Sequence, residues 1–201
     1  MAACMPGAPG CGWSDGDLVT FRQADWGTIS SGTNAAALLS THFAAVYVPS
    51  FGILEVGIIG KAGFSMAFTS APSVLMYLPA AGLANPLNTD LLDPPSSASG
   101  FFGGEVVALR LNVDFADAGL IGGTSPTAFG DLTLCGFASL PAVNDLTVRG
   151  FLAIVNTLLG GGSAPITIGD AAPLTAELNA TFVGGVPSPF AQDHLVNGAC
   201  P

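Results

Sequence analysis

Gly103-Gly104-Glu105-Val106-Val107-Ala108-Leu109-Arg110-Leu111-Asn112-Val113-Asp114-Phe115-Ala116-Asp117-Ala118 is the stretch on which the reading of this chain turns. Val107, Leu109, Leu111, Val113 and Phe115 alternate strictly with Ala108, Arg110, Asn112 and Asp114, which is the two-residue period of a half-buried strand. The length of the segment and its Gly-Gly-Glu opening suit a buried helix instead. Periodicity alone prefers the strand.

The flanks are easier to read. Downstream, a Gly/Ser/Thr loop leads to residues 131–135, a short strand, and Thr147 then caps a strongly periodic helix. Phe151, Leu152, Val155, Leu158 and Leu159 share one face of that helix, and Gly160, Gly161 and Gly162 end it. A last helix is expected from about Gly169 to Phe182, with Leu174, Leu178 and Phe182 one turn apart and Pro173 limiting how early it begins. Pro187, Pro189 and the tail to Cys200 close the domain.

Upstream, residues 80–100 hold Pro86, Pro94, Pro95 and a Ser/Gly cluster and read as a surface loop, long enough to be a place for function. A short helix starts at Ser70 or Ala71, with Pro72 in its first turn, and stops before Pro79. Residues 53–59 and 63–69 are apolar runs joined by Gly60, Lys61 and Ala62, the clearest hairpin signal in the chain, with Phe64, Met66 and Phe68 on one face. Residues 34–47 have helical spacing, with Thr33 or Asn34 as N-cap and Pro49 just beyond the end. Residues 18–26 read as a strand in which Val19 and Phe21 alternate with Thr20 and Arg22, and residues 1–17 as an irregular Gly/Pro/Cys-rich arm held by disulfides rather than by packing.

Composition narrows the function classes. Of the 201 residues, 50% are hydrophobic and only 9% charged, against about 25% charged in an ordinary soluble domain. The mean hydropathy of +0.60 raises the question of membrane insertion, but a span needs about 20 consecutive apolar residues. Residues 51–68 are interrupted by Glu55, Lys61 and glycines, and residues 74–87 by Pro79, Asn85 and Pro86, so no insertion is expected. No basic, apolar leader opens the chain, so a secreted protein would here be the mature form behind an added Met. The net charge is −10, and the basic residues Arg22, Lys61, Arg110 and Arg149 are scattered singly. Nucleic acid and anionic lipid, which require clustered Lys and Arg, are poor partners for such a chain, and neither is expected.

Cys4, Cys11, Cys135 and Cys200 fit no zinc spacing and read as two disulfides, which persist outside the reducing cytosol. Sequence does not choose among the pairings. Cys11 with Cys200 would tie the ends of the domain together and leave Cys4 for Cys135, and this pairing is the expectation.

Thr20, Gln23, Trp26 and Gly27 form a TxxQxxWG pattern, followed far downstream by Ala108-Leu109-Arg110-Leu111-Asn112-Val113 and by the helix start Leu146-Thr147-Val148. In this order the motifs resemble a group of secreted bacterial proteins of unknown function with a TxxQGxWG-like opening, an ALxLNV-like segment and two C-terminal helices. Ala24-Asp25 stands where a glycine is more usual. The resemblance implies secretion to the cell surface and a helix at residues 103–118, and it brings no catalytic residues. We adopt the helix, which gives a single disulfide-linked α+β domain over residues 18–201 with a β-hairpin and about four to five helices.

Candidate chemistry is sparse. His42 lies beside Phe43, where a hydrogen-bonded packing role is expected, and His194 sits in the tail near Asp193. Neither GxSxG nor HExxH occurs, the nearest approach being Gly63-Phe64-Ser65-Met66-Ala67 in a strand, and the Gly-rich stretches lack phosphate-loop spacing. No catalysis and no cofactor are expected. Calcium is the weaker alternative, because Asp15/Asp17, Asp90/Asp93 and Asp114/Asp117 cluster without matching a DxDxDG loop. The sequon at Asn179 lies on an apolar-spaced helix and reads as structural, and Trp13 and Trp26 read as core rather than as sugar platforms.

The surplus of apolar residues points to an extracellular or cell-surface protein that self-assembles as a filament, layer or oligomer subunit in a structural or adhesive role, with copies of itself as partners. The alternative is a monomeric carbohydrate- or ice-binding module that engages surface polysaccharide. A regular TxT array, the signature of an ice-binding face, is missing.

Overall fold

The computed structural model describes residues 5–201 as one α+β domain. Residues 100–117 are helix: α4, Gly100–Asp117, is the axle of the fold, and thirteen of its eighteen residues are buried. A helix buried on nearly every side has no polar stripe for periodicity to reveal. Ala108 and Asn112, two positions of the apparent polar face, are fully buried, whereas Arg110 and Asp114 reach the surface as an i,i+4 ion pair at 2.6 Å. The alternation was therefore a coincidence of composition, and the helix implied by the resemblance is the one observed.

Around α4 pack α1 (Gln23–Trp26), α5 (Val148–Leu159) and α6 (Ile168–Asn179). Two glycines permit the closest approaches. A Cβ at Gly104 would strike the Gln23 side chain of α1, and one at Gly27 would strike the Leu78 carbonyl, which explains the glycine that closes the TxxQxxWG pattern. Trp26 is fully buried between Phe21 and Phe115, edge-on to both at 5.1 Å. Residues 18–26 are thus not a strand. Their one β contact is a parallel bridge from Thr20 to Val183, after which the chain turns into α1.

The hairpin forms as expected. β1 (Leu54–Gly57) and β2 (Ser65–Phe68) pair antiparallel, with Leu54 opposite Phe68 and Gly57 opposite Ser65. Met66 and Phe68 are fully buried, while Phe64 stands 39% exposed at the turn. Residues 80–100 are not loop throughout, because β3 (Leu91–Leu92) joins β2 in parallel at one edge of the sheet. α2 (Ala35–Tyr47) is capped by Asn34, whose side chain accepts the Ala37 amide, and α3 (Ala71–Tyr77) is capped by Ser70.

α5 starts behind Thr147, whose hydroxyl accepts the Gly150 amide, and ends at Gly160. α6 starts earlier and stops earlier than its spacing implied. Thr167 and Asp170 form a capping box, and Pro173 sits inside the helix on an exposed position, so the carbonyl it leaves without an N–H partner is on the wet side. The tail also has structure. α7 (Pro189–His194) and β5 (Leu195–Val196) fold back so that β5 pairs antiparallel with β4 (Thr133–Leu134). The two short helices α1 and α7 bring the α-helices among the described residues to seven.

That return of the tail corrects the disulfide pairing. Cys135, at the end of β4, is bonded to Cys200, with the Cα atoms 5.7 Å apart, so neither Cys11–Cys200 nor Cys4–Cys135 forms. Cys11 is disulfide-bonded as well, and Cys4 lies outside the described residues. The arm is not held by disulfides alone. Trp13 is buried edge-on to Phe182, its indole N–H donates to the Leu195 carbonyl, and Gln192 brackets its backbone with two hydrogen bonds.

Candidate functional site

The motif residues meet in the interior, and what they build is structural. The Phe21 amide donates to Asn112 Oδ1 at 2.9 Å, which turns Asn112 Nδ2 toward the Phe21 carbonyl and Asn179 Oδ1. Asn179 Nδ2 is thereby aimed at Glu105, reaching Oε2 at 2.7 Å and the backbone carbonyl at 3.0 Å. At the other end the Ala80 amide donates to Gln23 Oε1, so Gln23 Nε2 donates to Glu105 Oε1 at 2.7 Å. Two backbone groups fix every amide in this chain, and the carboxylate in the middle accepts from both sides. Thr20 joins the turn after α6 to the first segment, its hydroxyl accepting the Phe182 amide at 3.0 Å. Asn179 is fully buried within this network, so its sequon is inaccessible in the fold.

The candidates raised for chemistry do not converge. Ser65 lies in β2 and donates to Glu55 Oε1 at 2.6 Å, with no histidine in contact. His42 is half-buried and makes no hydrogen bond among the described residues, so the expected hydrogen-bonded role is not what holds it. His194 stacks on Phe137, with ring centroids 4.4 Å apart, and its Nδ1 lies 2.9 Å from the Cys135 carbonyl oxygen. Three of the paired aspartates are engaged by neighbouring amides and hydroxyls. Asp17 accepts from the Ser14 amide and the Thr124 hydroxyl, Asp90 from the Ser65 amide, and Asp93 from the Thr69 amide and hydroxyl. Among the described residues no cluster of three or more His, Cys, Asp or Glu could hold a metal ion. Trp13 and Trp26 are both core.

Two surface features remain. The first is apolar: among the described residues ten large hydrophobic side chains are exposed, with Phe51 at 95%, Ile29 at 86%, Leu83 at 83% and Leu92 on the edge strand β3. Phe51 also holds a left-handed backbone (φ 56°), a conformation that costs a bulky non-glycine residue about 1 kcal/mol or more. It is displayed by the tight turn that follows α2, where the Gly52 amide returns to the Tyr47 carbonyl at 2.8 Å.

The second feature lies beside that turn. A cleft of about 250 Å³ opens between the end of α2 and the end of α4, lined by Val46, Tyr47, Ser50, Arg110, Asp114, Asp117 and Ala118. Arg110 binds Asp114 through Nε alone, and Arg149 engages Asp117 with both of its Nη groups at 2.8 and 2.9 Å. Tyr47 is 1% exposed, and its buried hydroxyl interacts with the Asp114 carboxylate. Burial, and after it the charge of Asp114, hold the Tyr47 phenol well above its usual range. Burial likewise raises the Asp114 carboxyl, against the opposing pull of Arg110. Sequence reasoning missed this cleft. Its one legible sign was the Arg110/Asp114 spacing, which places both on one helix face only once the segment is known to be helical.

No protein-family model, no curated protein and no solved structure matches this chain. Among the described residues, no helix is long and apolar enough to cross a membrane.

Proposed function

We propose that this chain is a secreted structural or adhesive protein of the cell surface that acts without catalysis and assembles with copies of itself. The observation that supports this reading is the exposure of large apolar side chains, with Phe51 95% exposed on a strained backbone, in a chain so short of charge. Exposed apolar side chains of this size are the groups that copies of the chain would bury against one another. β3 stands at an edge of its sheet, the position at which a further strand adds. The disulfide fits an oxidising compartment.

Charge sets the conditions for assembly. Arg110 pairs with Asp114, and Arg149 with Asp117 and Asp131, leaving Arg22 and Lys61 as the cations without an ion pair among the described residues. Copies carrying a net −10 repel one another, and salt shortens that repulsion to a Debye length of about 8 Å at 0.15 M. Light scattering over a micromolar concentration series, with electron microscopy of the same samples, tests the reading. Oligomers or filaments that grow with protein and salt concentration are expected, and the double variant Phe51→Asp, Leu92→Asp should shift their onset to at least about tenfold higher protein concentration, a loss of about 1.4 kcal/mol. A clean monomer under all conditions would overturn it.

A further inference from the structure

Asn197 holds the seam where the N-terminal arm, the tail and the loop after α4 meet. Its backbone N–H donates to the Gly7 carbonyl at 2.6 Å, and its Oδ1 accepts from the Thr127 hydroxyl at 2.8 Å. Its Nδ2 reaches the Met5 sulfur and the Pro6 carbonyl at 3.3 and 3.4 Å, so the carbonyl end of the side chain is gripped and the amide end only lightly held. Asn197 alone among the asparagines of the chain is followed by a glycine. Gly198 is exposed at φ 110°, a conformation that a side chain would strain, and nothing lies within 4 Å of where its Cβ would stand. Among the described residues its N–H has no hydrogen-bond partner. An uncommitted and uncrowded amide nitrogen thus directly follows a side-chain carboxamide.

We propose that Asn197–Gly198 is a self-modification site, which converts to aspartate or isoaspartate when the seam opens and then keeps the seam from closing. The Gly198 nitrogen attacks Asn197 Cγ, and the new C–N bond closes a succinimide ring while Nδ2 leaves as ammonia, taking the proton of the Gly198 amide. Water then opens the ring, giving aspartate where the new C–N bond breaks and isoaspartate where the backbone bond breaks. Water is the only co-reactant. In the closed seam the Thr127 hydroxyl fixes Oδ1 and the Gly7 carbonyl fixes the backbone, so the side chain is not free to swing onto the Gly198 nitrogen. Trp13 on the Leu195 carbonyl and Cys135 on Cys200 clamp the pair from both sides. Either product has lost the Nδ2 donor and sets a carboxylate beside the Pro6 carbonyl, in a chain already at −10. The inference is independent of self-assembly, because the reaction lies within one chain.

Full-length protein held at neutral pH and physiological temperature, with residue 197 followed by peptide mass spectrometry that resolves asparagine, aspartate and isoaspartate, tests the site. Folded oxidised protein should convert at least about tenfold more slowly than the same chain unfolded in urea, as for a reaction that waits on a local opening of about 1.4 kcal/mol or more. Thr127→Val removes the hydroxyl that grips Oδ1 and leaves the disulfide in place, and it should speed conversion about fivefold, whereas Thr127→Ser should convert as the parent does. Reduction of Cys135–Cys200 should speed conversion as well. The converted protein and the variant Asn197→Asp should both exchange the Gly7 and Trp13 amides faster than the parent, with Leu109 and Leu111 in α4 unchanged. The proposal is overturned if the folded oxidised protein converts as fast as the unfolded chain, if Thr127→Val and reduction both leave the rate unchanged, or if conversion leaves exchange of the arm unchanged.

Discussion

Gln23 shows how one side chain governs the electrostatics of the interior. Burial holds the Glu105 carboxyl above its usual range, opposed by the hydrogen bonds from Asn179 and Gln23. A carboxyl whose pKa is higher in the folded state binds its proton more tightly there than in the unfolded chain. The stability it contributes is therefore greatest at acid pH and falls as the pH rises from the ordinary carboxylate value through the raised one. Gln23→Met removes one donor and leaves the Ala80 amide without its acceptor, so Glu105 moves further up and the window widens. The variant should lose about 1–3 kcal/mol at neutral pH and clearly less near pH 4, measured by urea unfolding at both. Equal losses at the two pH values would mean that Glu105 is not what responds. The motif letters T, Q, W, G and N were legible in the sequence as a pattern, but their purpose was not. They are contacts between segments 51 to 162 residues apart, and a linear reading has no access to such distances.

At the scale of elements, legibility followed local chemistry. Caps were legible where a short side chain meets an amide three residues on: Thr147 was read outright, and Asn34 and Ser70 are each one of the two positions the spacing offered. The hairpin was legible because its alternation and glycine turn are local too. Reading failed where tertiary contacts decide: α4, whose burial on all sides erases the helical period, and the tail, where α7 and β5 exist because Trp13 and β4 are there to receive them. The cap of α5 gives a test at this scale. Thr147→Ala should cost about 1 kcal/mol and Thr147→Ser almost nothing, read as the shift in urea midpoint at constant slope. A loss much larger than this would assign Thr147 a packing role through its bridge to Thr133 rather than a capping role.

For the whole molecule the question is what holds the two ends. A disulfide from Cys11 to Cys200 was expected to tie them, and the ends are indeed adjacent, but hydrogen bonds and packing join them: Asn197 N–H to the Gly7 carbonyl at 2.6 Å, Gly16 N–H to the Gly185 carbonyl at 2.8 Å, and Gln192 around Trp13. The Cys135–Cys200 bond has a different task. It closes a segment of 65 residues that contains α5, α6 and α7, and in the chain-entropy account such a loop contributes about 4 kcal/mol by restricting the unfolded chain. Because the tail is also fastened through Trp13 and β4, the double variant Cys135→Ala, Cys200→Ala should still fold, but with stability lower by up to about 4 kcal/mol. Opening should become local as well as global. Hydrogen exchange of the Leu195 and Asn197 amides should accelerate before that of Leu109 and Leu111 in α4. If the tail and α4 instead exchange together and the loss still reaches the full value, the disulfide acts on the unfolded chain alone and the hydrogen bonds around Trp13 suffice to hold the tail. Unchanged stability would show that the reduced chain is already as restricted as the oxidised one.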